Sequence, residues 1–388
     1  MFNSEGNQLP SWQELRRQMP VAGEVAYFDH AAVSPLPEPT RQAVIKWVKQ
    51  AAQQGVLVWD EWATNVERVR ELAARMLGAA LEEIAFIPNT TSGIHLVAEG
   101  FPWREGDNVV TFANEFPSNI YPWLNLKSRG VETRLVPVEG VVADPMQLLE
   151  ACDDRTRLIS VSWVSFCTGW RLDIAELLEQ ARRRGILVFL DAIQGLGVFP
   201  LDVSSLEVDF LAADGHKWLL GPEGAGIFYL RREHLDLLRP LIAGWNSVEH
   251  AGQFDRIEWR PRQSAGRYEG GSQNMVGIAA LGASLQLLSE SGLAADHSLL
   301  AERVLEITDH ACQRLEKIGA TIVSRREGEG RSGIVAFDLP GKNLAAVRRY
   351  CMEKKIALSC RNGLLRISPH AYVDEEDVGR LVGALSDA

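Results

Sequence analysis

The stretch GILVFLDAIQ, residues 185–194, carries the clearest indication of fold in this chain of 388 residues. Its apolar run does not alternate with polar residues, which is typical of a strand buried on both faces of a parallel sheet. The run ends in Asp191, and Gln194 follows three residues later. Ligands of open parallel sheets bind beyond the carboxyl ends of the strands, so Asp191 is a candidate for holding a cationic group. The alternative is that Asp191 only caps the next helix.

Similar apolar runs recur along the chain and alternate with longer amphipathic stretches. The other runs lie at 83–86, 108–112, 134–138, 158–164, 210–212 and 227–230. Helical periodicity covers 40–54, 62–77, 173–184 and a long region at 277–318. This alternation predicts an α/β fold in which helices cover both faces of a mainly parallel, seven-stranded sheet.

The pattern changes after residue 318. Short strands are predicted at 321–324, 333–339, 357–359 and 364–367, and helices at 344–354 and 374–385. These elements predict a small C-terminal α+β domain. We therefore divide the chain into an N-terminal arm at 1–26 that packs on the small domain, a large domain at 27–270, and the small domain at 271–388, which includes the long connecting helix.

The composition excludes several classes of protein. Forty Lys and Arg residues against 51 Asp and Glu residues give a net charge of −11, which argues against a nucleic-acid binder. The chain has no apolar run of roughly 20 residues and no apolar core near its start, so we expect neither a membrane span nor a secretory signal. Five cysteines without a C-x-x-C pair indicate a reduced, cytoplasmic compartment. No metal site is predicted.

A lysine stands in an unusual setting after the predicted strand at 210–212. The sequence DGHKW at 214–218 follows that strand, and a glycine-rich hairpin at 221–226 comes next. Burial between His216 and Trp218 would lower the pKa of the Lys217 amine, as a lysine that reacts with an aldehyde requires. The alternative is a lysine that only packs in the structure.

Hydroxyl residues follow the predicted strand at 83–86. The sequence NTTSG at 89–93 places Thr90, Thr91, Ser92 and a glycine just before an amphipathic run. A junction of this kind presents free backbone N–H groups and the positive end of a helix, where an anion can bind. Ordinary helix capping is the alternative.

The three strand ends together match one cofactor. They supply an anion cradle, an aldehyde-reactive amine and a carboxylate for a pyridinium nitrogen, which are the three groups that hold pyridoxal 5′-phosphate. The chain has neither a G-x-G-x-x-G fingerprint after its first strand nor a G-x-x-x-x-G-K-[ST] loop, so dinucleotides and nucleoside triphosphates fit less well.

On these residues the chain resembles the class V aminotransferase family of fold type I pyridoxal-phosphate enzymes, which includes cysteine desulfurases, selenocysteine lyases and isopenicillin N epimerase. The resemblance runs from about residue 27 to residue 385. It is carried by YFDHAA at 27–32, NTTSG at 89–93, NEF at 114–116, DAIQ at 191–194, GHKW at 215–218 and LRISPH at 365–370. It implies the fold type I architecture and a homodimer.

The resemblance also implies roles around the cofactor ring. Lys217 resembles the lysine that holds the cofactor as a Schiff base and then acts as the base at Cα of the substrate. Asp191 matches the carboxylate that faces the pyridine nitrogen, and Gln194 matches a contact to the ring hydroxyl. Phe116 falls where the family stacks a ring on the cofactor face.

Further roles concern the phosphate. By resemblance, Thr91 and the N–H groups near Ser92 form the phosphate cradle, with His216 as a further donor. Ser272 matches a hydroxyl that the family supplies from the other subunit. The active site would then be complete only in the homodimer.

Two residues are implied to contact the amino-acid substrate. Arg366 resembles the arginine whose planar fork binds the α-carboxylate. His30 lies on the predicted entrance loop, where a structural role is an equal alternative.

The chain departs from the desulfurase pattern in three places. Asp214 replaces a common serine, and we expect it to turn from the phosphate and accept a hydrogen bond from His216. Phe166 stands where desulfurases have an asparagine, which makes the pocket more apolar. Cys360 lies only six residues before Arg366, at the end of a predicted strand. That separation is too short for a mobile loop, so Cys360 is expected to be a buried, structural thiol.

The sequence thus predicts a homodimeric pyridoxal-phosphate enzyme that removes the Cα proton of an amino acid. Because the desulfurase features are missing, transaminase-like chemistry is the first choice. Carbon–sulfur or carbon–selenium cleavage is the second, and epimerisation is also open. Two alternatives from other classes are a non-catalytic protein that binds the cofactor and an α/β nucleotide-binding protein that uses residues 90–93 for phosphate.

Overall fold

The computed structural model describes residues 12–388, so residues 1–11 of the predicted N-terminal arm lie outside the described residues. The strands are β1 (Ala26–Tyr27), β2 (Ile84–Ile87), β3 (Asn108–Phe112), β4 (Glu132–Val136), β5 (Thr156–Ser162), β6 (Leu187–Asp191), β7 (Phe210–Asp214), β8 (Gly226–Leu230), β9 (Thr321–Ile322), β10 (Val335–Asp338), β11 (Ile356–Ala357), β12 (Ser359–Arg361) and β13 (Leu364–Ile367). The helices are α1 (Trp12–Arg17), α2 (Glu38–Gln53), α3 (Trp59–Leu77), α4 (Thr90–Gly100), α5 (Tyr121–Asn125), α6 (Met146–Glu150), α7 (Ala175–Arg183), α8 (Val203–Leu206), α9 (Met275–Glu290), α10 (Leu299–Lys317), α11 (Leu344–Glu353) and α12 (Glu375–Asp387).

The predicted α/β fold with a mainly parallel, seven-stranded sheet is confirmed. The strands lie in the order β2-β8-β7-β6-β5-β3-β4, and only β8 runs antiparallel to its neighbours. Each strand predicted for this sheet overlaps an observed one. Every residue of β7 and β8 is buried, which explains why these strands have continuous apolar sequences rather than alternating ones.

The prediction of one continuous helical region at 277–318 is wrong about its continuity. The region consists of two helices, α9 and α10, which a turn at 291–298 separates. Gly292 adopts a left-handed φ of 93°, and the Ser298 side chain caps α10 by accepting a hydrogen bond from the N–H of Ala301. The helical periodicity continues on both sides of the turn, so the pattern alone did not reveal the break.

The C-terminal region forms a second, antiparallel sheet in the order β12-β13-β10-β9. Strand β1 pairs in parallel with β11, and Arg16 on α1 binds the carbonyl of Tyr372 and the carboxylates of Asp374 and Asp377. The described part of the predicted arm therefore contacts this region. The division at residues 26 and 270 stays a prediction.

Close packing brings the N-terminus of α4 to the carboxyl ends of the central strands. A Cβ atom on Gly93 would lie 2.6 Å from the Cβ of Ala212 on β7, so only glycine lets the helix approach this closely. The β12–β13 hairpin faces the same edge of the sheet. Among the described helices, none combines the length and apolar character needed to cross a bilayer.

Candidate active site

A cavity of about 320 Å³ opens where β6 and β7 end. The predicted site residues that line it are Thr90, Thr91, Phe116, Asp191, Gln194, His216, Lys217 and Arg366. Asp214 and Phe166, the two departures noted from the sequence, line it as well. Residues from six separate segments of the chain thus meet in one cavity.

Lys217 is only 9% exposed, in the cavity wall. Burial, together with the positive charge of Arg366, lowers the pKa of its amine to about 8, although the charge of Asp191 opposes the shift. The Nζ atom lies 5.7 Å from the ring centre of Phe116. A substantial fraction of the amine is therefore neutral, and nucleophilic, near neutral pH.

Asp191 is the last residue of β6, and its side chain is buried at the base of the cavity. Burial raises the pKa of the carboxyl to about 6, although the N–H of Ile193, 3.1 Å from Oδ1, and the charge of Lys217 both favour the ionised form. A nearby cationic group would stabilise the carboxylate, because a buried charge is costly without a partner. A protonated pyridine nitrogen is such a group.

The N-terminus of α4 supplies free donors. The side chain of Asn89 accepts the N–H of Ser92 at 2.9 Å, whereas among the described residues the N–H groups of Thr90 and Thr91 have no partner. The Thr91 hydroxyl donates to the Oγ of Ser118 at 2.9 Å. Thr90 and Thr91 thus fit an anion cradle. Ser92 does not, because its N–H is already used and its side chain does not line the cavity.

Asp214 and His216 lie side by side, but without the hydrogen bond that the sequence predicted. The Oδ2 atom of Asp214 lies 2.8 Å from Nδ1 of His216, and poor alignment leaves Nδ1 without a hydrogen-bond partner among the described residues. Oδ1 accepts the N–H of Gly215 at 2.7 Å, and the N–H of Asp214 donates to the Thr90 hydroxyl. The carboxylate is thereby occupied by its own neighbours.

Arg366 is buried and held on two sides. Its Nη1 donates to the carbonyl of Phe166 at 2.7 Å, and its Nη2 lies 3.3 Å from Oδ1 of Asp29. Burial lowers the pKa of the guanidinium, and Asp29 partly restores it. Sequence reasoning missed Asp29 as the partner that orients Arg366, although the residue lies in one of the family-like segments.

Gln194 lines the cavity, but its amide is already engaged. Its Nε2 donates to the carbonyl of Ala31 at 3.0 Å, and its Oε1 accepts from the indole of Trp218 at 3.0 Å. Contact with a ring hydroxyl would require one of these hydrogen bonds to be exchanged or shared.

His30 and Ser272 do not reach the cavity of their own chain. His30 is fully buried beside Trp218, with Nδ1 3.1 Å from the carbonyl of Ser368 and Nε2 3.0 Å from the hydroxyl of Tyr372. The structural alternative for His30 fits this position, and a substrate contact does not. Ser272 is exposed just before α9. Its predicted role in a neighbouring subunit remains a prediction.

Asp209, Glu233 and His234 form a separate cluster, with possible ligand atoms within 4.8 Å of one another. The Nε2 atom of His234 lies 2.7 Å from Oδ1 of Asp209, and the other carboxylate oxygen accepts the N–H of Val188. These contacts explain why the residues lie together: Asp209 and His234 form a structural acid–imidazole pair.

The model of the family described as aminotransferase class-V matches residues 26–381. The chain belongs to this family. Pyridoxal 5′-phosphate is the family's cofactor, and the residues of the cavity fit it: free N–H groups for a phosphate, a lysine amine with a lowered pKa, and a buried carboxyl that makes no ion pair among the described residues.

Cysteine desulfurases and a cystine C–S lyase are among the proteins to which the chain is similar. A probable cysteine desulfurase of Methanothermobacter thermautotrophicus is 29% identical over 403 residues, with 97% of each chain covered. A cysteine desulfurase of Escherichia coli is 30% identical, covering 93% of this chain and 92% of the relative. The solved structure of the cystine C–S lyase C-DES with its product cysteine persulfide matches with a TM-score of 0.88 at 24% identity, covering 95% of this chain and 99% of that one. Another C-DES structure contains glycine covalently linked to the pyridoxal-phosphate cofactor.

Proposed function

We propose that this class V enzyme is a carbon–sulfur lyase that cleaves the Cβ–S bond of cysteine or an S-substituted cysteine. The observation that carries the proposal is the cavity in which Lys217 and Asp191 meet, in a chain whose relatives are named cysteine desulfurases. The sequence placed transamination first and carbon–sulfur cleavage second. The relatives favour the second.

Each residue of the cavity has a distinct role in this reaction. Arg366 binds the α-carboxylate, and Lys217 removes the Cα proton. The rings of Phe116 and Phe166, 5.2 Å apart and edge to face, shield the reacting atoms from water. The bound cofactor supplies a conjugated ring that accepts the electron pair left at Cα. Asp191 favours this by holding the ring nitrogen in its protonated form.

The reaction balances without an external oxidant. The Cα–H bond breaks, and the Cβ–S bond then breaks with its electron pair leaving on sulfur. Water releases the remaining carbon skeleton as pyruvate. One substrate molecule and one water give one thiol, one pyruvate and one ammonium ion.

The structure supports release of the sulfur with the leaving group rather than its transfer to a protein thiol. No cysteine lines the cavity within the described residues. Cys360 is partly buried against the core, on a strand that ends in a two-residue turn. The thiol of Cys167 accepts a hydrogen bond from Asn362, and burial raises its pKa to about 11, so it is a poor nucleophile.

We also propose a homodimer that completes the site. An exposed segment of the large domain carries several large apolar side chains: Ile242, Trp245, Phe254, Ile257 and Trp259. Ile257 is 95% exposed, and apolar groups gathered in this way are typical of a surface that another chain covers. Ser272, exposed and outside its own cavity, is free to serve a partner's phosphate site.

Subunit mixing tests the shared site. If Ser272 serves the partner, a mixed dimer of Lys217→Ala and Ser272→Ala subunits has one fully intact site, which combines the two unmodified residues. Cofactor affinity and activity should then rise above those of either parent dimer. A mixture no better than its parents, or a monomer in light scattering, would overturn this part of the proposal.

Product analysis tests the reaction. Holoenzyme given cysteine or cystine should form pyruvate in step with sulfide or persulfide, and the Lys217→Ala variant should form neither. Conversion of the cofactor to its amine form together with a keto acid would show transamination. Alanine with persulfide on a protein cysteine would show a desulfurase that uses its own thiol, and either result would overturn the lyase.

Borohydride treatment of the holoenzyme tests the role of Lys217. Reduction followed by peptide mapping should place the pyridoxyl group on the Lys217 peptide. Bound cofactor that is never attached to Lys217 would favour a non-catalytic binding protein.

A further inference from the structure

We infer that the substrate carries a second acidic group at the end of its side chain and that Arg361 binds it. The inference rests on the proposed function, because it names the class of cysteine derivative that the cavity accepts. Nothing in the family-like segments assigns Arg361, which lies outside all of them. Its place in the site follows from the fold of the β12–β13 hairpin.

The hairpin directs two arginines into one cavity. Ser359 pairs with Arg366, and Arg361 pairs with Leu364 across the antiparallel strands. Because side chains alternate along a strand, Arg361 and Ser359 share the face that carries Arg366, and both arginines line the cavity.

The turn of this hairpin is short and well defined. Asn362 and Gly363 both have positive φ, 50° and 77°, as a two-residue type I′ turn requires. Such a turn sets the register of the two strands. Arg361 is therefore held at a defined place rather than carried on a long loop.

The two guanidinium groups differ in their surroundings. Arg366 is buried and has Asp29 as a counter-ion, whereas Arg361 is exposed at the cavity mouth and no described acid pairs with it. The charge of Arg361 also lowers the pKa values of Lys217 and Arg366. An anionic group on the ligand would relieve this excess of positive charge.

The acids of the cavity do not provide that charge. Asp191 faces the position of the ring nitrogen. The Asp214 carboxylate accepts the N–H of Gly215 and lies against the ring of His216. The cofactor phosphate belongs to the N-terminus of α4, with Thr90 and Thr91. A substrate held by its α-carboxylate at buried Arg366 extends its side chain towards the mouth, where Arg361 meets the far end. A carboxylate is the acidic group that suits the planar donors of arginine.

Two substrates that differ only in this charge test the inference. They are S-(2-carboxyethyl)cysteine and its neutral amide, S-(2-carbamoylethyl)cysteine. Wild-type holoenzyme should cleave the acid with a kcat/KM about tenfold higher, as expected for one charge-assisted contact. Arg361→Gln should abolish this preference, so that the ratio of the kcat/KM values for the acid and the amide falls to about one.

Arg349→Gln is the matched control. Arg349 is an exposed arginine on α11 outside the cavity, so this variant removes the same charge without touching the site. It should keep the preference for the acid. If it loses the preference as Arg361→Gln does, the effect is one of overall charge and the inference fails.

Equilibrium binding separates this inference from the proposed reaction. Calorimetry on the holoenzyme with glutarate and its monoamide, neither of which has an amino group to react, should show tighter binding of glutarate in the wild type only. The inference is overturned if the wild type does not distinguish the two ligands. It is also overturned if Arg361→Gln weakens both equally, because Arg361 would then serve the α-carboxylate. Absence of cleavage with intact glutarate selectivity would instead overturn the lyase proposal.

Discussion

Lys217 shows how burial adjusts a single residue for its chemistry. An exposed lysine is almost entirely protonated at neutral pH, whereas burial brings the pKa of Lys217 to about 8. The negative charge of Asp191 raises the pKa of Lys217, but by less than burial lowers it. The amine therefore stays partly neutral at neutral pH. The balance between desolvation and charge sets the fraction of the amine that is neutral.

The capture of cofactor by the apoprotein should therefore follow the titration of Lys217. Only the neutral amine attacks an aldehyde, and its fraction rises as the pH passes upward through the pKa. Between pH 7 and pH 9 the rate of covalent capture, followed by absorbance, should increase about tenfold and then level off. A blocked lysine amide in solution is the control, and its rate should still be rising at pH 10. A protein rate that rises in parallel with this control would contradict the lowered pKa.

Replacement of Cys360 should have little effect on catalysis. Its thiol packs partly against the core and does not line the cavity, so Cys360→Ala should keep kcat/KM with cysteine within about twofold and cost about 1 kcal/mol of stability. Kinetics and urea unfolding provide the two measurements. Cys351→Ala, in which a fully buried thiol is lost, controls for packing. A loss of activity beyond about tenfold, with stability retained, would identify Cys360 as a nucleophile.

At the level of elements, α4 depends on close contact with the central sheet. The helix can present its first N–H groups to the cavity only because Gly93 allows it to lie against β7. In the same way, the register of the β12–β13 hairpin places the Arg361 side chain in the cavity. In both cases the position of one element decides whether a polar group reaches the site.

Gly93→Ala should therefore weaken cofactor binding as well as stability. The new Cβ atom would lie 2.6 Å from the Cβ of Ala212 and 2.9 Å from Cδ1 of Ile87, so the helix must shift, at a cost of about 1–3 kcal/mol. Gly379→Ala on α12 is the control, since no atom lies within 4 Å of its new Cβ. That variant should be stabilised by up to about 1 kcal/mol, as helix propensity predicts. Unfolding curves and cofactor titrations measure both effects, and unchanged cofactor affinity in Gly93→Ala would refute the argument.

At the level of the whole molecule, a buried ion pair joins segments that are far apart in sequence. Arg70 on α3 contacts both carboxylate oxygens of Glu269, at 2.6 and 2.9 Å, and also the carbonyl of Ile84. Glu269 accepts the N–H of Phe86 as well. The network fixes the segment that leads to Ser272 against the edge of the central sheet, and so bears on the proposed dimer site.

Removal of Arg70 should be strongly destabilising. Arg70→Met leaves the carboxylate of Glu269 buried without its cation, which typically costs about 3–5 kcal/mol. The double variant Arg70→Met with Glu269→Gln should recover much of this loss, because it removes the uncompensated charge. Urea unfolding at a fixed protein concentration measures both. A single variant that loses less than about 1 kcal/mol would show that the pair is not effectively buried.

Much of the site could be predicted because its chemistry needs particular residue types at strand ends. Lys217, Asp191 and Thr91 were found in this way and Arg366 from the resemblance to the family, and all four line the cavity. Ser92 was misplaced because the side chain of Asn89 takes up its N–H, a local contact that the pattern did not show. Arg361 was missed because nothing in its sequence neighbourhood distinguishes it from an ordinary surface arginine.

The order of apolar runs, and the polar residues that end them, determined the α/β fold, the seven strands and the candidate reactive residues, because buried strands and a carbonyl-reactive amine each require a recognisable composition. The break between α9 and α10, the burial of His30 beneath the cavity and the entry of Arg361 into it were decided only by the tertiary structure. These features depend on which side of an element faces a neighbour distant in sequence, and no local periodicity encodes that choice.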